Sequence, residues 1–238
     1  NLSVHGVGIN DYYKVENIPG PKGLDVQIGG LTFLPDGRLA ACFHRGEVYT
    51  YNPMTKTWKL FADGLHEPLG IIAEDNHTLV VMQRPELTRL RDTDGDSEAD
   101  HYQTISDDFG MTGNYHEFAF GPARDKDGNY YVGLNLASSG ASIRPEIRGE
   151  FRHYGSTREQ FYKNHRAGSG RMYSAAPYRG WIMKIAPDSK VVIITGYFDS
   201  QLMEDVLELG PVTIVKKPFD KDTVMQVVKT YAMKMQRS

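Results

Sequence analysis

The clearest indication of the fold lies near the start of the chain, in Gly30-Leu-Thr-Phe-Leu-Pro-Asp-Gly-Arg-Leu-Ala-Ala-Cys-Phe43. Its two apolar runs are separated by Pro35-Asp-Gly37, where proline presets one φ angle and glycine accepts a positive one. The stretch therefore predicts a strand, a tight turn and a second strand. Alternation over residues 46–51, followed by Asn52-Pro, predicts a third strand and its end.

The same pattern returns further along the chain. It starts again at Gly70 and at Glu117, and these starts give a period of 40 to 47 residues. Such a period with short antiparallel strands is typical of a β-propeller, and an ordinary β-sandwich with similar turns is the alternative. We expect Gly180–Ile185 to be the closing strand of another unit. The prediction is a mainly β fold, a partial propeller of three to four blades.

The C-terminal tail has a different composition, because residues 187–238 hold only two of the 24 glycines. The tail alternates strand and helix patterns, with strands over 190–195 and 212–215 and helices over 200–210 and 220–236. This β-α-β-α order is half of a doubly wound α/β domain. We therefore predict a propeller-like domain over residues 1–186 and an α/β segment over residues 187–238.

Charge and cysteine content exclude several classes of protein. The net charge is −3 and the pI is near 6.3, so nucleic acid is not an expected partner. The longest strongly apolar run, Val191–Ile194, is far too short to span a bilayer. Cys42 is the single cysteine, which excludes an internal disulfide framework and a cysteine-rich zinc site.

Three strings carry a resemblance in the first 185 residues: Gly30–Leu39, Arg91-Asp-Thr-Asp-Gly-Asp96 and Asn114-Tyr-His-Glu-Phe-Ala-Phe-Gly-Pro122. They resemble the pyrroloquinoline-quinone (PQQ) glucose/sorbosone dehydrogenase-like propellers, and are most like large bacterial propeller proteins described as membrane-bound dehydrogenases. The resemblance implies oxidation of a sugar or alcohol with PQQ and an external electron acceptor. It also implies a periplasmic or secreted location. A non-catalytic propeller binding module is the alternative.

The resemblance implies roles for particular residues. His116 would be the base that takes the hydroxyl proton, since imidazole titrates near working pH; a histidine that packs at a strand start is the alternative. Arginines crowd residues 144–171, and Arg144 and Arg148 would hold the carboxylates of PQQ. A solvated helical insert is the other interpretation. The family has a Gly-Asp pair after the return strand, where this chain has Leu134–Gly140, which favours a binding module.

An acidic loop places carboxylates at its first, third, fifth and ninth positions, Asp92, Asp94, Asp96 and Asp100. Alternating carboxylates in a tight loop can converge on one hard cation, which predicts Ca²⁺. The glycine and glutamate of a full EF-hand are replaced by Ser97 and Gln103. A solvated acidic turn is the alternative.

Two short histidine strings are expected at strand edges, where propeller loops meet a central channel. They are His44-Arg-Gly46 and His66-Glu-Pro68. A His-Glu pair can bind a metal or orient a base, and such residues can also satisfy loop backbone groups.

The tail resembles the second half of a response-regulator receiver domain, on Val191-Val-Ile-Ile-Thr-Gly196 and Val215-Lys-Lys-Pro-Phe219. In that family Thr195 would be the switch hydroxyl and Lys217 the lysine that pairs with the phosphoryl group. No aspartate stands between Gly155 and Pro187, where the phospho-acceptor belongs, so we predict that the tail is not a working receiver.

The join of a propeller to a receiver-like tail leaves further alternatives open. It is a natural fusion, an engineered chimera or a sequence assembled from two genes. A two-component signalling protein would work in the cytoplasm and use the Thr195 and Lys217 face for docking. Oligomers are expected through the unpaired edge strands or through the helix at 220–236.

Overall fold

The structure is a computed structural model that describes residues 16–138, 148–149, 172–187, 191–195 and 214–216. These residues form β-strands and irregular segments. The first sheet contains β1 (Ile28–Phe33), β2 (Leu39–Phe43), β3 (Val48–Asn52) and β4 (Thr57–Ala62). The second contains β5 (Ile71–Ala73), β6 (Thr78–Met82), β7 (Leu87–Arg91) and β8 (His101–Ser106).

The third sheet is built from segments that lie far apart in the sequence. It contains β9 (Ala119–Arg124), β10 (Tyr130–Leu134), β13 (Ile182–Ile185), β14 (Val191–Thr195) and β15 (Ile214–Lys216). Two short strands, β11 (Ala137–Ser138) and β12 (Met172–Tyr173), pair with each other. In the first two sheets each strand pairs antiparallel with its neighbours in chain order. The described chain is thus mainly β, with three successive blades of a partial β-propeller, as the repeat predicts.

The segment at 182–185 has a different place from the one expected. It does not close another unit, because β13 pairs antiparallel with β10 as the third strand of the third blade, with Val132 opposite Met183. Residues 135–181, here called the excursion, separate these two neighbouring strands. A long excursion hides the repeat because strand pairing depends on spatial neighbours and not on sequence distance.

Both strands predicted in the tail are present, and they extend the third blade. β14 pairs antiparallel with β13, with Ile185 opposite Val191, and parallel with β15. This sheet therefore crosses the predicted boundary between residues 186 and 187, while the division into two domains stays a prediction. The predicted helices over 200–210 and 220–236 lie outside the described residues, and no described segment is a helix able to cross a membrane.

The first strands of the three blades lie side by side, β1 against β5 and β5 against β9. Glycines make this approach possible. A Cβ atom on Gly30 would lie 2.8 Å from the Cα atom of Gly70, and one on Gly70 would overlap the carbonyl oxygen of Gly121. The structural counterpart of Gly30 and Gly70 in the third blade is therefore Gly121, and not the Glu117 start that the sequence pattern indicates.

The core consists of two apolar layers between consecutive blades. β6 contributes to both, since Leu79 and Val81 face the first blade while Val80 and Met82 face the third. Successive side chains of a strand point to opposite faces of the sheet. The middle blade is covered on both sides, which explains why residues 79–82 are continuously apolar.

The predicted glycine turn joins the first two strands of the first and third blades. Gly37 has φ of +89° and donates its N–H to the carbonyl of Leu34 at 2.9 Å. Gly128 has φ of +86° and donates to the carbonyl of Asp125 at 3.1 Å. Only glycine adopts such φ angles without strain, so the turn is encoded locally.

Strand direction alternates within each blade and sorts the connections onto two faces. We call the upper face the one with the β2–β3 and β6–β7 turns, the connections between blades and the two ends of the excursion that adjoin β10 and β13. The lower face carries the β1–β2, β5–β6 and β9–β10 turns and the β3–β4 and β7–β8 connections. His116 belongs to the upper face and the acidic loop at Asp92–Asp100 to the lower face.

Candidate functional site

The connection from β8 to β9, residues 107–118, is here called the ligand loop. Asn114 and Glu117 are fully buried, whereas Tyr115 between them is 57% exposed and His116 is half-buried. The backbone N–H of His116 donates to Oδ1 of Asn114 at 3.1 Å. The Tyr115 and His116 rings meet edge to face with centroids 5.2 Å apart. The loop thus presents two rings to solvent on a buried polar stem.

The ring of Phe118 joins the three blades beneath this tip. It contacts Tyr115 with ring centroids 5.5 Å apart, and His44 of the β2–β3 turn at 6.3 Å. The guanidinium of Arg84, from the β6–β7 turn, lies over the same ring at 5.2 Å. A cation over an aromatic face is stabilised by the ring quadrupole.

Glu67 links His44 to Arg84. Its Oε1 lies 3.8 Å from Nε2 of His44, and its Oε2 accepts a hydrogen bond from Nη1 of Arg84. The neighbour His66 instead donates its backbone N–H to Oε1 of Gln83 at 2.7 Å. The His-Glu contact on this face is therefore between the two predicted strings and not within one of them.

Arg179 is fully buried below the ligand loop. Its Nε donates to the carbonyl of Gly110 at 2.7 Å, and its Nη1 to the carbonyls of Glu117 and Phe118 at 3.1 and 3.3 Å. Burial lowers the pKa of Arg179 to about 10, against the attraction of Glu117, which raises it. The guanidinium remains charged at neutral pH because that pKa is still well above 7.

The buried carboxylate of Glu117 joins two positions of the ligand loop by hydrogen bonds. Its Oε2 accepts hydrogen bonds from the backbone N–H and the hydroxyl of Thr112, at 2.8 and 2.7 Å. Within the described part of the chain, Glu117 Oε1, Arg84 Nε and Arg179 Nη2 are buried without a hydrogen-bond partner. Unpaired buried polar atoms are rare and concentrate at functional sites.

None of these three buried charged residues was predicted from the sequence to take part in the site. Glu117 stands beside the predicted base in the same string. Arg84 could have been predicted from the sequence, because this charged residue closely follows the apolar run 79–82 and directly precedes a proline. No local sequence pattern predicts the role of Arg179, because its hydrogen-bond partners lie far away in the sequence. Gly110, for example, is 69 positions away.

Arg148 ties the excursion to two upper-face loops. Its Nε and Nη2 donate to the carbonyl of Phe109 at 3.0 and 2.7 Å, and Nη2 also donates to that of Pro85. Its Nη1 lies 3.6 Å from Asp107. The guanidinium is thus directed at backbone carbonyls, and its role in cofactor binding stays a prediction. Arg144 lies outside the described residues.

The acidic loop lies on the lower face between β7 and β8. Carboxylate oxygens of Asp92, Asp94 and Asp96 all lie within 4.8 Å of one another. The carboxylate of Asp100 is not part of this group and accepts hydrogen bonds from the N–H and hydroxyl of Thr93, at 3.0 and 2.6 Å. Three of the four predicted ligands therefore converge.

Asp92 is the buried member of this group. Burial raises the pKa of its carboxyl, but hydrogen bonds from His77, Gly95 and Ser97 outweigh it and hold the pKa below the ordinary value. These donors lie 2.9, 2.7 and 3.0 Å away. Asp92 is therefore ionised at neutral pH, as a cation ligand must be.

Of the two predicted receiver residues, Thr195 and Lys217, the structure describes only Thr195. Thr195 is the last residue of β14, and its backbone lies opposite Lys216 of β15 in a parallel pair. Lys217 lies outside the described residues. The switch role of both residues stays a prediction.

The fold and the upper face define a β-propeller-type protein. A family described as a domain of unknown function, DUF7133, matches residues 54–206, and the chain belongs to this family. The matched stretch includes the second blade, the ligand loop, the excursion and β14. Among curated proteins, none matches the chain.

Several solved structures are similar at low identity. A luciferin-regenerating enzyme is 13% identical, with a TM-score of 0.43 over 71% of this chain and 45% of its own. A protein described as an oxidoreductase (glucose dehydrogenase) from Thermus thermophilus is 14% identical, with a TM-score of 0.42 over 70% and 46%. One described as a gluconolactonase is also 14% identical, with a TM-score of 0.42 over 70% and 48%. The chain thus spans about half the length of these structures.

Proposed function

We propose that the upper face binds a hydroxyl-bearing small molecule, a sugar or an alcohol, and that Tyr115 and His116 contact it. The observation that carries the proposal is the exposed ring of Tyr115 beside the half-buried His116, flanked by the buried side chains of Asn114 and Glu117. Ligand sites combine aromatic surface with a few convergent polar groups, here the imidazoles of His44 and His116 and the carboxylate of Glu67.

The donor set of this face does not fit PQQ among the described residues. PQQ is a tricarboxylate and requires cationic donors that are free to meet it. Arg84 and Arg179 are closed to solvent, and Arg148 is directed at the carbonyls of Pro85 and Phe109. The exposed Arg45 is paired with the carboxylate of Asp25. This disagreement favours a binding module over a PQQ enzyme as the leading form of the proposal.

Binding is tested by titrating the full chain with a panel of aldoses, polyols and short glycans. We expect at least one to bind, and Tyr115→Ala to weaken it by about tenfold, since a buried aromatic contact contributes about 1–2 kcal/mol. The matched control is Tyr102→Ala, which removes another exposed tyrosine, on β8. The proposal is wrong if nothing in the panel binds, or if Tyr115→Ala binds as well as the unchanged chain.

A second candidate is oxidation of the bound hydroxyl, favoured by the place of His116 at the exposed tip. His116 would accept the hydroxyl proton, and an external electron acceptor would take the hydride. The assay adds PQQ, Ca²⁺, the bound sugar and a redox dye to the full chain. Dye reduction that is lost in His116→Ala but kept in His101→Ala supports the enzyme; equal rates in His116→Ala and the unchanged chain contradict it.

We also propose that the lower-face loop binds Ca²⁺ through Asp92, Asp94 and Asp96 in a structural role. Support comes from three carboxylates within 4.8 Å, the arrangement that hard cations require. Titration calorimetry with Ca²⁺ should show one site that is lost in Asp94→Asn. The control Asp127→Asn removes an exposed carboxylate from another lower-face turn and should keep the site. Equal heats in all three proteins would identify an ordinary solvated turn.

A further inference from the structure

The end of the excursion, residues 174–181, supports the ligand loop from below. The backbone N–H of Gly110 donates to the carbonyl of Pro177 at 2.8 Å. Arg179 then reaches both stems of the loop, with Gly110 on one side of the tip and Glu117 and Phe118 on the other. One planar guanidinium thereby sets the separation of the two stems.

A second contact reinforces the first. The guanidinium groups of Arg179 and Arg148 both lie over the ring of Phe109, at 5.3 and 5.0 Å from its centroid. Arg148 also pairs backbone to backbone with Met111, by N–H···O bonds of 2.9 and 2.8 Å. Two parts of the excursion, at Arg148 and at Arg179, thus contact the start of the ligand loop.

The beginning of the excursion binds the same loop near its tip. Ser138 donates its N–H to Oδ1 of Asn114 at 3.1 Å, and Nδ2 of Asn114 donates to the carbonyl of Ser138 at 3.1 Å. The same Oδ1 accepts the N–H of His116. The side chain that orients His116 is therefore fastened to the excursion.

We propose that Arg179 is a positioning residue, which holds the ligand loop so that Tyr115 and His116 meet the ligand. The excursion then controls affinity from behind the binding surface. The idea rests on the proposed sugar or alcohol site. Its physical basis is that one buried cation satisfies three carbonyls on both stems, which a lysine ammonium cannot do with the same planar fork.

The test compares Arg179→Lys with Arg45→Lys in the full chain. Arg45 is an exposed arginine in the β2–β3 turn of the same face, paired with Asp25 at 3.2 Å. The first readout is the NMR signal of the His116 imidazole, assigned by its loss in His116→Ala. We expect Arg179→Lys to move that signal while those of His77 and His101 stay in place, and to weaken sugar binding by about tenfold or more. Arg45→Lys should do neither.

A gentler variant keeps the proposal testable if Arg179→Lys does not fold. Phe109→Leu retains every backbone acceptor and removes only the ring beneath the two guanidinium groups, and it should move the His116 signal in the same direction. An unchanged His116 signal and sugar affinity in a folded variant would overturn the proposal, as would equal shifts of all histidine signals. If the unchanged chain binds no sugar, the proposed function fails, while the His116 signal still decides whether Arg179 positions the loop.

Discussion

The two faces of this propeller satisfy their charges in different ways. On the lower face the carboxylates of Asp92, Asp94 and Asp125 accept backbone hydrogen bonds from residues at most five positions away. On the upper face Arg84 and Arg179 bond partners 17 to 69 positions away. The backbone hydrogen bonds to these three carboxylates form within their own turns, whereas the two arginines meet their partners only when the blades are assembled.

This difference separates folding elements from the candidate site. A turn whose polar groups are hydrogen-bonded within the turn itself contributes little to the stability of the rest of the fold. Substituting an exposed carboxylate also changes the free energy of unfolding only slightly. Buried charges that come from several blades are costly to assemble and leave unpaired atoms, so they are expected where function requires a defined geometry. The contrast therefore supports the upper face as the ligand site.

The largest effect should come from the scaffold that carries both faces. Gly70→Ala places a Cβ atom on the carbonyl oxygen of Gly121 and forces the first strands of two blades apart. We expect a loss of about 3–5 kcal/mol in the free energy of unfolding, measured by urea denaturation. Gly133→Ala is the matched control, since its Cβ meets nothing within 4 Å. Equal stability of the two variants would show that the blades do not touch through these strands.

The next effect should distinguish the faces directly. Glu117→Ala removes the acceptor of two Thr112 hydrogen bonds and the counter-charge near Arg179, which we expect to cost about 3 kcal/mol. Asp94→Ala on the lower face should change the free energy of unfolding by less than about 0.5 kcal/mol in the absence of Ca²⁺. Similar losses in both variants would remove the contrast on which the site assignment depends.

A smaller effect concerns Glu74, a lower-face carboxylate whose partners are not local. Its carboxylate accepts hydrogen bonds from Arg89 at 2.6 Å and from Tyr130, which joins the second blade to the third. Glu74→Gln should cost about 2 kcal/mol at pH 7. If it costs nothing, this contact contributes nothing to the packing of the second blade against the third.

The acid dependence of this contact has a defined sign. Burial raises the pKa of Glu74, but Arg89 and Tyr130 outweigh it and the pKa lies below its ordinary value. A carboxyl whose pKa is lowered in the folded state stabilises that state at pH values above its unfolded pKa of about 4.3. This contribution to the free energy of unfolding is lost as the pH falls through the lower, folded pKa. The stability difference between Glu74→Gln and the unchanged chain should therefore shrink below about pH 4.

A smaller loss than at Glu74 is expected at Asp92. Asp92→Asn keeps an oxygen acceptor for the N–H of Gly95 but turns its amide group toward Ser97 and His77. We therefore expect the free energy of unfolding, measured by thermal denaturation, to fall by about 1 kcal/mol. The loss should vanish in acid, for the same reason as at Glu74, below about pH 4. A loss larger than that of Glu117→Ala would reverse the comparison of the two faces.

Much of the fold was accessible from local sequence patterns. The turns at Gly37 and Gly128 follow from residues that tolerate positive φ, and the repeat predicted successive blades. The strand at 182–185 was assigned to another unit because its partner β10 lies beyond the excursion. The third repeat start was placed at Glu117, whereas the close approach of backbones is made by Gly121.

The candidate site was predicted only in part, for a related reason. His116 and the acidic loop have recognisable local strings, and three of the four acidic residues converge. Glu67 pairs with His44 across a blade boundary, and Arg179 meets the ligand loop from the far end of the excursion. Such contacts have no periodicity along the chain, and no single-sequence pattern predicts them.

Local sequence is enough to specify the strands, the turns and the blade repeat, because backbone propensity and alternating side chains act over a few residues. The assembled fold is needed to establish which strand completes the third blade and which buried charges meet beneath Tyr115 and His116. Buried charges must find partners wherever the chain brings them, and those partners lie on other blades. The local turns of the lower face can therefore be understood from short segments, while the buried charges of the upper face require the assembled blades.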